Sequence, residues 1–548
     1  MVRHFFLDFF QVEFGTGESR LGMAPLLAVL MVPGALMSIA LFAKYSALLR
    51  WIKRDFTFNP DIASLPDKYM FIAMSIAVTG IVAVLRWDSL FPDRRDFANL
   101  APLPIETRGI LLAKLTALTG FVLIFVIDVN LLPTILFPMI VMENQGTFHD
   151  LLAFWIAHAV AVTAAGLWTF CAFLAVTGTL MAVLPYGVFR RSRRYFQFLC
   201  IVLLLILFLS APAMRFEVVK IRSGVSSPME WLPVAWFLGL YQTLQGKAAG
   251  SFPALSAMSI RAMAMSVVLA LAAYGISYRW YFLRSAETTE GPSSGWRLPP
   301  SLFRWVDALL LRSSFDRATF RFIVRTLARS EQHTAMLAAT LGTGFALAVQ
   351  SAMDARPGDP VPSGLLASSL IVVYSLLAGL RLSFGLPSEV RANWTFRMAS
   401  DEGVDPQRVV RIAMFLFLLP VAALSSLVCG IAFWPEIGAG HMIFTLCCAA
   451  VLIELLTAGF RVIPFTCSWI PGRENLVFAI AVWAAGLLFF GPLLAIIEGF
   501  LLLDFWRFLP FLVVIAAILF AQRYLRKVRE PIAWSDTRGE FDLLRIGE

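Results

Sequence analysis

Three ionisable residues lie inside long apolar runs of this chain: Asp128, His158 and Glu454. Taking such groups into hydrocarbon is costly, so where they occur they pair with one another, face a bundle interior, or carry protons or cations. Asp128 and His158 sit on neighbouring apolar runs and have the chemistry to pair across two helices. With Glu454 they have the chemistry of a proton or cation path, and equally that of plain interhelical hydrogen bonds. Glu498 and Asp504 fall where a short outer turn between the last two apolar runs is expected. Patterns for other chemistry are missing: there is no His-Glu-x-x-His and no Gly-x-Ser-x-Gly. The string closest to a phosphate-binding loop, Gly239 to Lys247, has two residues too many between its glycines. It also has Ala248 where a hydroxyl would hold magnesium. Cys171, Cys200, Cys429, Cys447 and Cys448 lie in apolar runs, and Cys467 ends one. Their spacing fits neither a metal site nor a disulfide frame, so they read as small core residues. No metal and no cofactor bound by this chain is expected.

The elements that hold these residues follow from composition. Of 548 residues, 59% are hydrophobic and 15% charged, with 48 Phe and 15 Trp. An average soluble domain is roughly 25% charged and under about 50% apolar. A water-soluble enzyme, a disordered chain and a secreted disulfide scaffold are thereby excluded. The apolar residues come in long continuous runs and not in alternating short segments, which argues against an outer-membrane barrel. The expected fold is all-α: a polytopic membrane protein of about 12 transmembrane helices, each needing roughly 20 apolar residues. The formal net charge of +9 is expected to report Arg-rich cytoplasmic loops, with no nucleic-acid partner. No cleavable signal peptide is expected, because Asp8, Glu13 and Glu18 precede the first apolar run.

Apolar windows fall near residues 21–43, 70–87, 110–141, 151–185, 195–214 and 255–283, and again near 335–353, 365–386, 409–435, 439–465, 476–499 and 504–522. This divides the chain into a first six-helix half (1–283), a cytoplasmic linker (284–334), a second six-helix half (335–522) and a cytoplasmic tail (523–548). In the linker Arg317, Arg321, Arg325 and Arg329 recur every four residues, with Phe320, Ile323 and Leu327 on another face. A helix of that pattern is expected in the headgroup plane, Arg toward phosphates and the apolar face toward acyl chains. The halves repeat short elements in the same order. Leu85-Arg-Trp-Asp-Ser-Leu-Phe-Pro92 matches Leu380-Arg-Leu-Ser-Phe-Gly-Leu-Pro387, and Val183-Leu-Pro-Tyr186 matches Val462-Ile-Pro-Phe465. Tyr278-Arg-Trp-Tyr281 closes the sixth window and Gln522-Arg-Tyr524 the twelfth. Such order suggests a tandem duplication, and six helices being even, two halves of one orientation related by a pseudo-twofold axis along the membrane normal.

Charge sets the orientation. Arg190, Arg191, Arg193 and Arg194 follow the fourth window, and Arg523, Arg526, Lys527 and Arg529 the twelfth, whereas residues 143–150 hold no Lys or Arg. Both termini and the linker are expected in the cytoplasm, and the chain in a bacterial inner membrane. One loop disobeys: Lys44, Arg50, Lys53 and Arg54 follow the first window, on the side assigned to the outside. The segment Trp231 to Leu240 is expected to be an interfacial helix on that outer side.

The stretch from Asp88 to Lys114 combines a charged segment, the short element Leu100-Ala-Pro-Leu-Pro-Ile105, and a helix opening Arg108-Gly-Ile-Leu-Leu-Ala-Lys114. This resembles the first cytoplasmic loop of ABC-2-type exporter permeases. The resemblance implies that the loop holds a coupling helix which docks on a separate cytoplasmic ABC ATPase dimer, where ATP and magnesium are bound. It carries onto Asp93, Arg94, Arg95, Asp96, Leu103, Pro104 and Arg108. The second half offers Glu389, Arg391, Asn393 and Trp394 at the corresponding place but lacks the Leu-Pro element. Docking of this kind needs charges for recognition and prolines that fix the protruding backbone. The expectation is therefore the permease subunit of an ATP-driven exporter, not itself an enzyme. Two others stand beside it: a proton-coupled transporter of major-facilitator type with Asp128 or Glu454 as carrier, and a non-transporting assembly factor.

Overall fold

A computed structural model of the chain describes residues 1–8, 23–46, 60–86, 107–142, 147–184, 186–287, 300–311, 313–353, 363–388, 396, 398, 406–458, 460, 463–466 and 476–525. Among them there is no β-strand. Contacts divide the chain into two compact units, Met1–Ser293 and Ser294–Glu548.

In the first unit the helices are α1 (Val2–Asp8), α2 (Met23–Tyr45), α3 (Leu65–Leu85), α4 (Thr107–Val141), α5 (Phe148–Val183), α6 (Tyr186–Leu209), α7 (Arg215–Arg222), α8 (Pro233–Leu244) and α9 (Phe252–Glu287). In the second they are α10 (Pro300–Leu309), α11 (Ser314–Arg329), α12 (Glu331–Met353), α13 (Ser363–Phe384), α14 (Pro406–Ala432), α15 (Pro435–Leu456), α16 (Leu476–Leu502) and α17 (Phe508–Leu525). Each of the predicted apolar windows coincides with one of these helices. Nine helices among the described residues are long and apolar enough to cross a membrane, and ten if the pair Tyr195–Leu209 and Ala211–Arg222, bent by 49°, is one span. Met31–Tyr45 and Phe508–Tyr524 are shorter apolar helices. The protein is a helical membrane protein; against the expected twelve spans, nine or ten helices among the described residues are long and apolar enough to cross, and two more are shorter.

Local chemistry marks where helices begin. Thr147 accepts from the backbone N–H of Asp150, whose carboxylate accepts from the Thr147 N–H at 2.9 Å, so a reciprocal cap starts α5. Ser313 and Asp316 cap α11 in the same way. Pro133 and Pro138 lie within α4 and Pro492 within α16, a tolerance common in membrane helices, where neighbouring helices answer the freed carbonyls.

The two units repeat a packing scheme. Numbering apolar helices by window, the second packs on the third, fourth and fifth, and the fourth on the third and sixth. In the first unit these are α3 on α4, α5 and α6, and α5 on α4 and α9; in the second, α13 on α14, α15 and α16, and α15 on α14 and α17. The first window departs from the scheme: α2 lies along α4, whereas α12 lies along α13. The α12–α13 contact has an antiparallel small-residue seam. Gly344 faces Ser375 and Gly379 faces Thr340, each so closely that a Cβ on either glycine would overlap the opposing side chain. Without a hydrophobic force between helices in lipid, such close backbone approach is what supplies the packing energy.

Two elements differ from expectation. The segment after Trp231 forms α8, whose Val234, Phe237, Leu238 and Tyr241 are buried against α3, α5 and α9 instead of lying flat on the bundle's outside. In α11 the Arg317, Arg321, Arg325 and Arg329 stripe is exposed. Its opposite face is taken up by protein: Phe320 and Ile323 join the core of the second unit, and α11 packs on α12 and α14. The apolar face is therefore not available to acyl chains as expected. Replacing Gly379 by Leu should overfill the α12–α13 seam and cost about 1–3 kcal/mol. Unfolding of the purified protein in detergent measures it, and an unchanged midpoint would contradict the seam.

Candidate functional site

Polar residues gather at three places in the two bundles. In the second unit, the elements repeated in the sequence meet each other. Phe465 donates its N–H to Phe384 O at 3.1 Å, and Ser388 donates to Phe465 O at 2.9 Å. The end of the second-window helix is thus tied, backbone to backbone, to the segment that follows the fourth. Phe465 takes φ 66°, rare for a residue with a side chain, and the strain is held by rings of Phe322, His333 and Phe384 packed around it. His333 Nε2 lies 3.1 Å from Leu386 O. Arg381 donates from Nε to Leu456 O at 2.9 Å and stacks 4.4 Å from the Phe460 ring, closing the C-terminal end of α15.

From Ser388 the chain enters the candidate coupling segment of the second half. Glu389, Arg391, Asn393 and Trp394 lie outside the described residues, as do Asp93, Arg94, Arg95, Asp96, Leu103 and Pro104. Arg108 falls in the first turn of α4, as the helix-opening pattern predicts. Within the second segment Phe396 is described, and its ring sits 5.2 Å from Phe322 and 6.0 Å from Phe315, both on α11. Helix α11 is in turn fastened to α14: Arg408 reaches Leu310 O at 3.1 Å and Asp316 at 4.0 Å. Arg321 pairs with Asp307 on α10. Phe396, Arg408 and Asp307 all meet α11 or its immediate neighbours, forming one local assembly around the arginine helix.

Glu454 belongs to the same end of the second unit. Its carboxylate lies 3.2 Å from Arg411 on α14 and 3.8 Å from Arg523 on α17, which clamps three helices around one buried charge. This is a geometry for holding an anion.

The second cluster is in the first unit and is built on α3, α5 and α8. His158, fully buried, has its Nδ1 3.0 Å from the Tyr241 hydroxyl, and rings of Phe71 and Phe137 complete its surround. The sequence-level pairing of His158 with Asp128 is not made; Tyr241 supplies the partner, because α8 folds back into the bundle. Asp128 is buried on α4 with no partner for Oδ2 among the described residues. Close by in sequence, Asn130 donates to Ser75 Oγ at 3.0 Å, and Ser75 donates to Val162 O at 2.7 Å. Lys68 reaches the Gln245 side-chain carbonyl at 2.7 Å, its ammonium standing 4.9 and 5.1 Å from the rings of Phe154 and Tyr241. Lys44 pairs with Asp67 at 2.6 Å, and the Tyr45 hydroxyl donates to the same carboxylate.

The third cluster escaped the sequence reading. His441 on α15 and Glu498 on α16 are both fully buried, with Nδ1 to Oε1 2.5 Å. His441 Nε2 lies 2.9 Å from Ser369 Oγ on α13. Glu498 was expected in an outer turn; α16 instead continues to Leu502 and carries it into the bundle. A histidine and a glutamate within apolar runs were the available signal.

No group of three or more His, Cys, Asp or Glu that could hold a metal occurs among the described residues. The five described cysteines are free. What the geometry defines is a polytopic helical membrane protein with two similarly packed units. Compared with known families, curated proteins and solved structures, the chain matches none.

Because Tyr241 and His158 are both buried, deleting the hydroxyl leaves a ring nitrogen unanswered. Tyr241→Phe should lower unfolding free energy by about 1–3 kcal/mol, read by denaturation in detergent. No loss would mean that the ring does not depend on this bond.

Proposed function

We propose that the chain is the membrane-spanning permease of an ATP-driven ABC exporter, its two halves fused, working with a separate cytoplasmic ATPase dimer in a bacterial inner membrane. The observation that carries the reading is the packing scheme shared by the two units, with the junction of Ser388, Phe465 and Phe384 at the root of the second candidate coupling segment. A soluble motor can move membrane helices only through a protrusion rigidly joined to them. That junction ties Ser388, at the segment's root, to Phe465 in the segment after the fourth-window helix, and Phe465 to the end of the second-window helix, while Phe396 stacks against two rings of α11. ATP and magnesium belong to the partner; the chain contributes docking surface and bundle. Alternating access would follow as the motor's closure biases one arrangement of the bundle over the other.

A proton-coupled transporter of major-facilitator type required Asp128 or Glu454 to load and release a proton. Glu454 is instead engaged by Arg411 and Arg523, an arrangement that ties α14, α15 and α17 together. Asp93, Arg94 and Arg95 provide the test. With the ATPase supplied in trans, replacing all three by Ala should abolish stimulation of hydrolysis by the membrane subunit while leaving the chain folded. Unchanged stimulation, or failure of the chain to co-purify with any ATPase, overturns the assignment.

A further inference from the structure

We infer that Ser369, His441 and Glu498 form a proton-binding chain in the second unit, loaded and emptied through Ser369. The inference does not depend on the ATPase reading; it rests on hydrogen-bond accounting at one dry site. His441 and Glu498 have no exposed surface, and Glu498 Oε2 has no partner among the described residues. A site this closed takes a proton and nothing bulkier.

Complete burial, taken with the contacts, selects how many protons are present. Ser369 Oγ lies 2.8 Å from Leu366 O, to which its single proton is donated, and 2.9 Å from His441 Nε2. With its proton committed to Leu366, the hydroxyl can only accept from the ring, so Nε2 carries hydrogen. The 2.5 Å contact between Nδ1 and Oε1 holds a second proton. Two protons on an imidazole and a carboxylate make the pair neutral, the one total charge that complete burial permits without a large desolvation cost. The partnerless Oε2 fits a neutral carboxyl's C=O, since a bare carboxylate oxygen there would cost more. Protons then point one way along the chain: Glu498 to His441, His441 to Ser369, Ser369 to Leu366.

Emptying the site removes one proton. Nε2 hands its hydrogen outward past Ser369, the only partly exposed member. The Ser369 hydroxyl must then turn from Leu366 O to donate to Nε2, and Glu498 becomes a carboxylate accepting from Nδ1–H. No bond between heavy atoms changes; one proton leaves and one negative charge stays. Among the described residues nothing nearby is built to neutralise that charge. The titratable groups facing Glu498 are the thiols of Cys429 on α14 and Cys448 on α15. On α13 the ring meets the Ser369 hydroxyl, α15 adds Thr445 Oγ1 at 3.5 Å from Nε2, and α17 brings Phe508 and Phe511 to the surrounding core. Beyond α16, Asp504 and Arg507 pair with each other at 3.9 Å. The emptied state is therefore stable only if α15 and α16 part enough to admit water, which links proton release to a change in the bundle.

Infrared difference spectroscopy of the full chain in lipid nanodiscs, without ATPase or nucleotide, tests this. A protonated-carboxyl C=O band should appear in the wild type and vanish in Glu498→Gln, and its intensity should fall reversibly as the bath is made alkaline. Ser369→Ala removes the port and should shift the midpoint of that titration by about one pH unit or more. Should Glu498→Gln not fold, Ser369→Ala and His441→Asn, read as midpoint and band position, carry the test. A wild-type spectrum equal to that of Glu498→Gln at every pH would show a permanent ion pair and overturn the inference. So would a Glu498 band that never responds to pH, or a midpoint unmoved in both Ser369→Ala and His441→Asn.

Discussion

In the hydrocarbon core a polar group has no water to turn to, so each buried one is answered from within the fold or costs several kcal/mol. The arrangement of both units follows from that constraint. Backbone groups are answered by helices, and among the described residues no strand competes. Side chains are answered in small clusters, each drawing on at least two helices far apart in sequence: Glu454 by Arg411 and Arg523, His158 by Tyr241, His441 by Glu498 and Ser369. Each cluster is also a tie. Losing one partner strands another in a medium that cannot compensate it, which is why such contacts fix helix register more sharply than apolar packing does.

Within the shared packing scheme, matching positions of the two units carry different chemistry. His158 and His441 occupy the same face of the fourth-window helix in their units. His158 precedes Pro185 by 27 residues and His441 precedes Pro464 by 23, a difference of about one helical turn. Both rings are fully buried and both lie against a hydroxyl. Their other nitrogen distinguishes them. His441 meets a carboxylate, whereas His158 Nε2 has no partner among the described residues and stands in a surround of Phe71, Phe137 and Tyr241. One position supports an ionisable pair in one half and an aromatic box in the other, so the halves share geometry without sharing chemistry.

Much of the fold was legible in the sequence, because hydrophobic run length is a direct physical requirement of the bilayer and not a tendency. Every apolar window became a helix, and the four-residue arginine stripe of α11 was readable from periodicity. Two features were not. The Trp231–Leu240 segment looked interfacial because it is apolar yet too short to span. Only tertiary packing, with Phe237 and Leu238 turned into the bundle, shows that it completes the core. The partners of the intramembrane charges were equally hidden. Asp128 and His158 are near in helix order, but pairing depends on rotation about each helix axis, which a string of apolar letters does not specify. Glu498 was set aside for standing at a window edge, where a shift of one turn decides between a loop and the bundle interior.

The repeated Leu-Pro and Ile-Pro elements acquire a physical reason from the second unit. Proline forces the residue before it out of helical conformation and ends a helix without offering an N–H. Pro387 follows the end of α13 at Phe384 and Pro464 lies in the segment after α15, and the backbone beside them pairs, Phe465 with Phe384 and Ser388 with Phe465. Side-chain packing alone would let the two helix ends slide; a pair of backbone hydrogen bonds fixes their axial register, and the aromatic rings around Phe465 keep water from loosening them. A loop rooted on such a joint moves with both helices or with neither.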